Sequence, residues 1–169
     1  MIITIDGNIG SGKTTVLNYL HNKCYFNMQI RVWLDRAWIQ EKDNSSIIFM
    51  ERSPFFIRNT FNMNDYLNNN INQDEYNVIN EMYNKTDNIW KSNYYIYLRS
   101  SPEKCLEHIL ERKRQNEINI KLDYIKNIHN LHEETYIKAV ENNMNIIVID
   151  VDDKTIPEIV DEIIKNINK

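Results

Sequence analysis

Short apolar runs alternate with longer, periodically patterned segments along this chain of 169 residues. The runs are Ile2–Ile5, Ile30–Leu34, Ile47–Met50, Tyr94–Leu98 and Ile146–Ile149. Each is nearly continuous and rich in β-branched or aromatic residues, as strands covered on both faces should be. Between them lie helical patterns. Tyr124, Ile128, Leu131 and Thr135 repeat at the spacing of one helix face, with Ile125 and Tyr136 beside them. Ser101-Pro102-Glu103 reads as a cap followed by proline at the first helical position, and Thr155-Ile156-Pro157-Glu158 has capping-box spacing. The asparagine-rich stretch from Asn62 to Asn77 has the composition of a linker. Helical spacing resumes at Tyr76, Ile79 and Tyr83, so it is read as a weak helix or loop. Strand–helix alternation of this kind predicts one α/β domain over residues 1–169: a five-stranded parallel sheet with helices on both faces, in three layers.

Charge and cysteine usage narrow the partners. The formal net charge is −4, which provides no general positive field for nucleic acid or anionic lipid, so neither is an expected partner. No apolar run is long enough to cross a bilayer, and neither a signal peptide nor an arginine-rich transit segment is visible. Cys24 and Cys105 are isolated and form no metal or redox spacing. Together these features predict a cytoplasmic protein, in the host cytoplasm for a viral one.

The first apolar run leads into Gly7-Asn8-Ile9-Gly10-Ser11-Gly12-Lys13-Thr14-Thr15, which matches the phosphate-binding P-loop between a strand and a helix. Glycines let backbone N–H groups turn inward around phosphate oxygens, and the helix that follows aims its positive end at the same anion. Lys13 places a charge on the β- and γ-phosphates, and the Thr14 hydroxyl is the expected Mg²⁺ ligand. The chain has only three glycines, and all three stand in this loop. The motif predicts a P-loop NTPase-type fold binding ATP with Mg²⁺, and it leaves the phosphate acceptor open.

Two further segments bear on the acceptor. The run Ile47–Met50 ends in Glu51-Arg52-Ser53-Pro54, and ligands of open α/β sheets sit beyond the carboxyl ends of the strands. Glu51 could hold Mg²⁺ or its water, and Arg52 could bridge the transferred phosphate and the acceptor oxygen. Arg112-Lys113-Arg114, late in the helix after Pro102, puts guanidinium forks where a lid over residues 108–120 could close on phosphates.

Taken together these segments resemble the deoxynucleoside kinases, the family of cellular deoxycytidine, deoxyguanosine and mitochondrial thymidine kinases with their insect and viral relatives. The resemblance runs from Ile2 through the loop to Thr15, then through Met50-Glu51-Arg52-Ser53 with Arg58 and Phe61. It continues through Tyr97–Glu103, Arg112–Glu117, Leu122-Asp123-Tyr124 and His129–Glu133 to Val148-Ile149-Asp150. It implies transfer of the γ-phosphate of ATP to the 5′-hydroxyl of a deoxynucleoside. Arg52 would contact that oxygen and the phosphate, and Glu51 would stand near Mg²⁺. Arg112 and Arg114 would reach the ATP phosphates, Glu117 the sugar 3′-hydroxyl, Phe61 the base, and Asp152 the neighbourhood of adenine. His129 and His132 match an ordinary helix of the family rather than a metal pair. Dimers are common in that family.

The sequence departs from the family between its second expected strand and Glu51. Relatives carry there a long helical stretch with a glutamate general base, a tyrosine to the sugar and a glutamine to the base; here only Leu34 to Ser46 intervenes. Asp35 is the nearest acid that could serve as base, with Trp33 and Trp38 beside it. Ile57 stands where deoxycytidine-preferring relatives carry an acid, which leans the expected acceptor towards pyrimidines and thymidine. Two other readings stay open. One is a nucleoside monophosphate or other small-acceptor kinase, for which Arg31, Arg36 and Arg58 would supply acceptor-phosphate contacts. The other is a catalytically impaired nucleotide-binding relative.

Overall fold

The computed structural model describes residues 2–16, 48–114, 117 and 119–167. The expected strand Ile30–Leu34, together with Arg31, Trp33, Asp35, Arg36, Trp38 and Cys24, lies outside the described residues. Among the described residues four strands form one parallel sheet: β1 (Ile2–Asp6), β2 (Ile48–Glu51), β3 (Tyr94–Arg99) and β4 (Ile146–Asp150), in the order β2-β1-β3-β4. Each matches an apolar run and extends one residue further, to Asp6, Glu51, Arg99 and Asp150 respectively. The sheet therefore delivers a charged side chain to the carboxyl end of every described strand.

The central strand β1 has β2 on one side and β3 on the other, so the chain changes direction across the sheet at β1. That is the switch point where open α/β sheets open a crevice for ligands.

Side chains alternate across the sheet as a strand's period of two demands. Ile3, Ile5, Ile96, Leu98 and Ile149 join Val16, Ile159, Val160 and Ile163 in the larger apolar core on one face. Thr4, Tyr95 and Tyr97, of opposite parity, are buried on the other, where the rings of Phe56 and His132 pack against Tyr97. Layers on both faces follow from this alternation.

The helices carry local signals that explain their limits. Ser53 caps α1 (Pro54–Ile57), its Oγ accepting from Phe56 N at 3.1 Å. A π-helical turn, Arg58–Asn62, links α1 to α2 (Met63–Leu67). The asparagine-rich stretch then resolves into a turn and α3 (Gln73–Trp90), started by a full capping box between Asn72 and Glu75. Ser101 caps α4 (Pro102–Arg112), with Pro102 at its start. This helix ends at Arg112 because Lys113 is left-handed at φ 47°, so Arg114 stands beyond the helix rather than late within it. Helix α5 spans Leu122–Glu141 and α6 spans Ile156–Ile167. At the start of α6, Thr155 donates through both its N–H and its hydroxyl to Glu158 Oε2, each at 2.7 Å. No described helix is long and apolar enough to cross a membrane.

Candidate active site at the carboxyl ends of β1 and β2

The loop after β1 is shaped by contacts that exclude side chains. A Cβ on Gly7 would lie 2.5 Å from both Leu98 O and Ser11 Oγ. Gly12 has open space around it but adopts φ +84°, which glycine enters without strain. Asn8, almost fully buried, ties the loop to α5 by donating from Nδ2 to Ile125 O at 2.8 Å. The chain is helical from residue 13 to residue 16, with Val16 N bonded to Gly12 O at 2.9 Å.

Lys13 is 5% exposed, and its Nζ donates to Gly7 O at 2.8 Å and to Asn8 O at 2.6 Å. Burial first, then the charge of Arg52, lowers its pKa from 10.5 to about 8, against the opposing pull of Glu51 and Asp6. That coupling brings Lys13, Glu51, Arg52 and Asp6 into one electrostatic cluster. The register Ile5↔Glu51 explains it, since adjacent parallel strands end side by side.

Asp6, buried at the end of β1, fixes the start of the next segment. Its Oδ1 accepts from Ser53 N at 2.9 Å, while Arg52 N donates to Ile5 O at 3.1 Å. Between these two anchors Arg52 is held at φ 61°, a conformation uncommon for a residue with a Cβ. Its guanidinium lies over the ring of Phe61, with Cζ 4.8 Å from the centroid. Arg52 Nε and Ser11 Oγ are buried with no hydrogen-bond partner among the described residues. Buried polar groups are normally paired, so two orphaned donors beside a glycine cradle fit an anion. The half-exposed Thr14 hydroxyl and the Glu51 carboxylate are oxygen donors of the kind Mg²⁺ takes. Thr15, in the helical turn that follows the loop, is exposed.

Helix α4 lies against the loop along one stripe. Cys105 carries the carbonyl that a Cβ on Gly10 would strike, and His108 Nδ1 is 3.0 Å from Gly10 O. Arg112 follows one turn later, and its charge reaches Cys105. Its Nε donates to Glu117 Oε2 at 2.7 Å, and Arg114 approaches the other Glu117 oxygen at 3.7 Å. The three expected residues Arg112, Arg114 and Glu117 are therefore one ion cluster; residues 115, 116 and 118 lie outside the described residues.

Asp152 follows β4 and braces α4 from behind. It accepts from Ser100 Oγ at 2.6 Å and from Ser101 N at 3.1 Å. Burial opposes its charge, and these bonds prevail, holding its carboxyl below the usual range. Arg58 is drawn away from the cluster: its Nε donates to Asn80 at 2.6 Å and its guanidinium covers Tyr83. Ile57 is half-buried at the end of α1. Asp6, Cys105 and His108 escaped the sequence reading. The 105, 108, 112 spacing of one helix face was the available signal for the last two.

A family profile described as deoxynucleoside kinase matches residues 24–169. The chain belongs to the deoxynucleoside kinase family. The match begins after the P-loop, so the loop adds a nucleotide-binding motif that the matched residues do not include. A probable deoxycytidine kinase of fowlpox virus is 27% identical over 186 aligned positions, spanning 88% of this chain and 77% of the relative. Human mitochondrial thymidine kinase 2 is 26% identical across 82% of this chain, which covers 65% of that enzyme's length. Among solved structures, deoxyadenosine kinase from M. mycoides, with products bound, superimposes with a TM-score of 0.75 at 23% identity, covering 99% of this chain and 98% of its own. The same enzyme with bound dCTP gives 0.73. These superpositions bear out the α/β fold.

Proposed function

We propose that this deoxynucleoside kinase family member transfers the γ-phosphate of ATP to the 5′-hydroxyl of a deoxynucleoside, with Mg²⁺ as companion ion. The observation that carries the reading is the coupling of Lys13 to Arg52, whose Nε is buried at the carboxyl end of β2 with no hydrogen-bond partner among the described residues. Phosphoryl transfer requires mainly positioning and charge stabilisation, and two cations from adjacent strands supply both. The residues from Gly7 to Thr15 cradle the polyphosphate. Lys13 exchanges its bonds to Gly7 O and Asn8 O for phosphate oxygens. Arg52 spans the transferred group and the acceptor oxygen. Thr14 and Glu51 hold Mg²⁺, which when bound neutralises charge on the phosphates. Arg112 and Arg114 act as a lid within residues 108–120, and Glu117 is shared between them and the sugar 3′-hydroxyl. Phe61 and Ile57 face the base, and the apolar Ile57 favours a pyrimidine, thymidine foremost. Asp152 stands towards adenine. Asp35 takes the proton of the attacking hydroxyl as the bond from the γ-phosphorus to ADP breaks. The proposal includes a cytoplasmic location and a homodimer. Arg58, held by Asn80 and Tyr83, weighs against a monophosphate acceptor.

Labelled ATP offered with each of four deoxynucleosides and their monophosphates tests this. Labelled thymidine monophosphate or deoxycytidine monophosphate is the expected product. Labelled diphosphates alone would show a monophosphate kinase. ATP binding without product, lost in Lys13→Ala, would show a nucleotide-binding relative without turnover.

A further inference from the structure

We propose that His132 is a positioning residue: the edge-to-face contact between its imidazole and Phe61 holds Phe61 beneath the guanidinium of Arg52 and so sets where that arginine stands. The functional part of this inference rests on the phosphoryl-transfer role of Arg52; the structural part does not.

His132 lies on α5, 1% exposed, among three aromatic rings. It stacks on Tyr97 at 5.8 Å and 13°, touches Phe56 at 5.8 Å, and meets Phe61 at 5.9 Å and 87°. Its Nδ1 is 2.8 Å from Ile128 O. A carbonyl only accepts, so Nδ1 carries the proton, which fixes both tautomer and ring orientation. Tyr97 is fixed in turn by donating to Glu133 Oε1 at 2.7 Å, on the same helix as His132. The imidazole is thus clamped between the sheet and its own helix. Burial outweighs the opposing bond to Ile128 O and, with the charges of Lys13, His129 and Arg52, pushes the imidazole pKa down to about 3, so the ring is neutral. It acts through ring packing and adds no charge.

Phe61 needs such a support. It sits in the π-helical turn Arg58–Asn62, a wide turn of poor intrinsic stability. Above it, Arg52 has a left-handed backbone and an Nε with no hydrogen-bond partner among the described residues, and the Phe61 face is a contact that its guanidinium does make, with Cζ 4.8 Å from the ring centroid. The order of support runs from Tyr97 to His132 to Phe61 to Arg52.

The test follows the Arg52 Nε–H resonance in protein labelled with ¹⁵N-arginine, where the Phe61 ring shifts the signal. Phe61→Leu assigns the signal and defines its unshifted position. His132→Leu is expected to move Arg52 to that position, and His132→Phe, which restores a ring, to leave it near wild type. Kinetically, His132→Leu should lower kcat about tenfold or more while the ATP KM stays within about threefold, with His132→Phe recovering most of the loss. A wild-type Arg52 signal in His132→Leu overturns the proposal. So does a signal in His132→Phe as far displaced as in Phe61→Leu, which decides the matter even if His132→Leu fails to fold. A wild-type protein without turnover but with the expected shifts would refute the kinase reading and leave the positional one standing.

Discussion

Lys13 Nζ and the carbonyl oxygen of Asn8 are 2.6 Å apart, so the loop satisfies its lysine with its own backbone. The bond holds the ammonium where desolvation and Arg52 depress its pKa from 10.5 to about 8. Polyphosphate would reverse that depression by placing anions beside the same nitrogen. Binding of ATP above pH 8 should therefore take up a proton, and affinity should fall as pH climbs from about 8 towards 10.5. Calorimetry in two buffers of different ionisation enthalpy measures the uptake directly. It should approach one proton at alkaline pH, vanish near neutrality, and be absent in Lys13→Met.

The same depression has a consequence for folding, with the sign fixed by linkage. The native state releases the Lys13 proton before the unfolded chain does, so this group makes the protein more stable as pH rises from about 8 to 10.5. Urea midpoints across that window should rise in wild type relative to Lys13→Met, whose profile lacks this term. A parallel pair of profiles would mean that Lys13 is not buried as described.

Arg52→Lys keeps a cation but removes the planar fork and most of the contact with Phe61. ATP binding, assigned above to Lys13 and the loop as a proposal, should change little. The kcat should drop on the order of 10²-fold, the scale seen when a transition-state donor is lost. Steady-state kinetics with saturating acceptor separate the two parameters. An equal loss in ATP affinity would place Arg52 on the nucleotide rather than on the transferred phosphate.

Gly7 and Gly12 should respond differently to alanine. At Gly12 the added carbon meets open space, and the left-handed backbone costs about 1–2 kcal/mol. At Gly7 it meets backbone oxygen at 2.5 Å in addition to the positive φ, and overpacking of that kind adds about 1–3 kcal/mol. Thermal unfolding should therefore show Gly7→Ala as clearly the less stable of the two.

The contrast between these glycines marks what sequence can and cannot disclose. Residue type and spacing identify the loop, and apolar runs identify four strands to within one residue, because both are local patterns. Glu51 and Arg52 are legible as strand-end charges for the same reason. What crowds Gly7 and Gly10 is not local: Leu98 reaches Gly7 from β3, and Cys105 reaches Gly10 from α4. Asp6 reads as one more strand residue until its bond to Ser53 appears, 47 positions away. Arg114 reads as helical in sequence and lies beyond the helix, because nothing in Arg112-Lys113-Arg114 announces a left-handed lysine.

Glu117 Oε2 lies 2.7 Å from Arg112 Nε and Oε1 lies 3.7 Å from Arg114, so one carboxylate restrains both arginines. Glu117→Gln removes the charge and keeps the shape. Arg112 and Arg114 are partly exposed, and surface ion pairs of this kind contribute at most about 1 kcal/mol, so the unfolding temperature should stay close to wild type. Function should split instead. The acceptor KM should rise about tenfold or more, since a sugar hydroxyl loses a charged partner. The ATP KM should stay level or fall, because the two guanidiniums no longer leave a carboxylate to reach phosphate. Should both KM values rise together, Glu117 would be orienting Arg112 for ATP rather than holding it in reserve, and its contact would belong to the nucleotide side of the site.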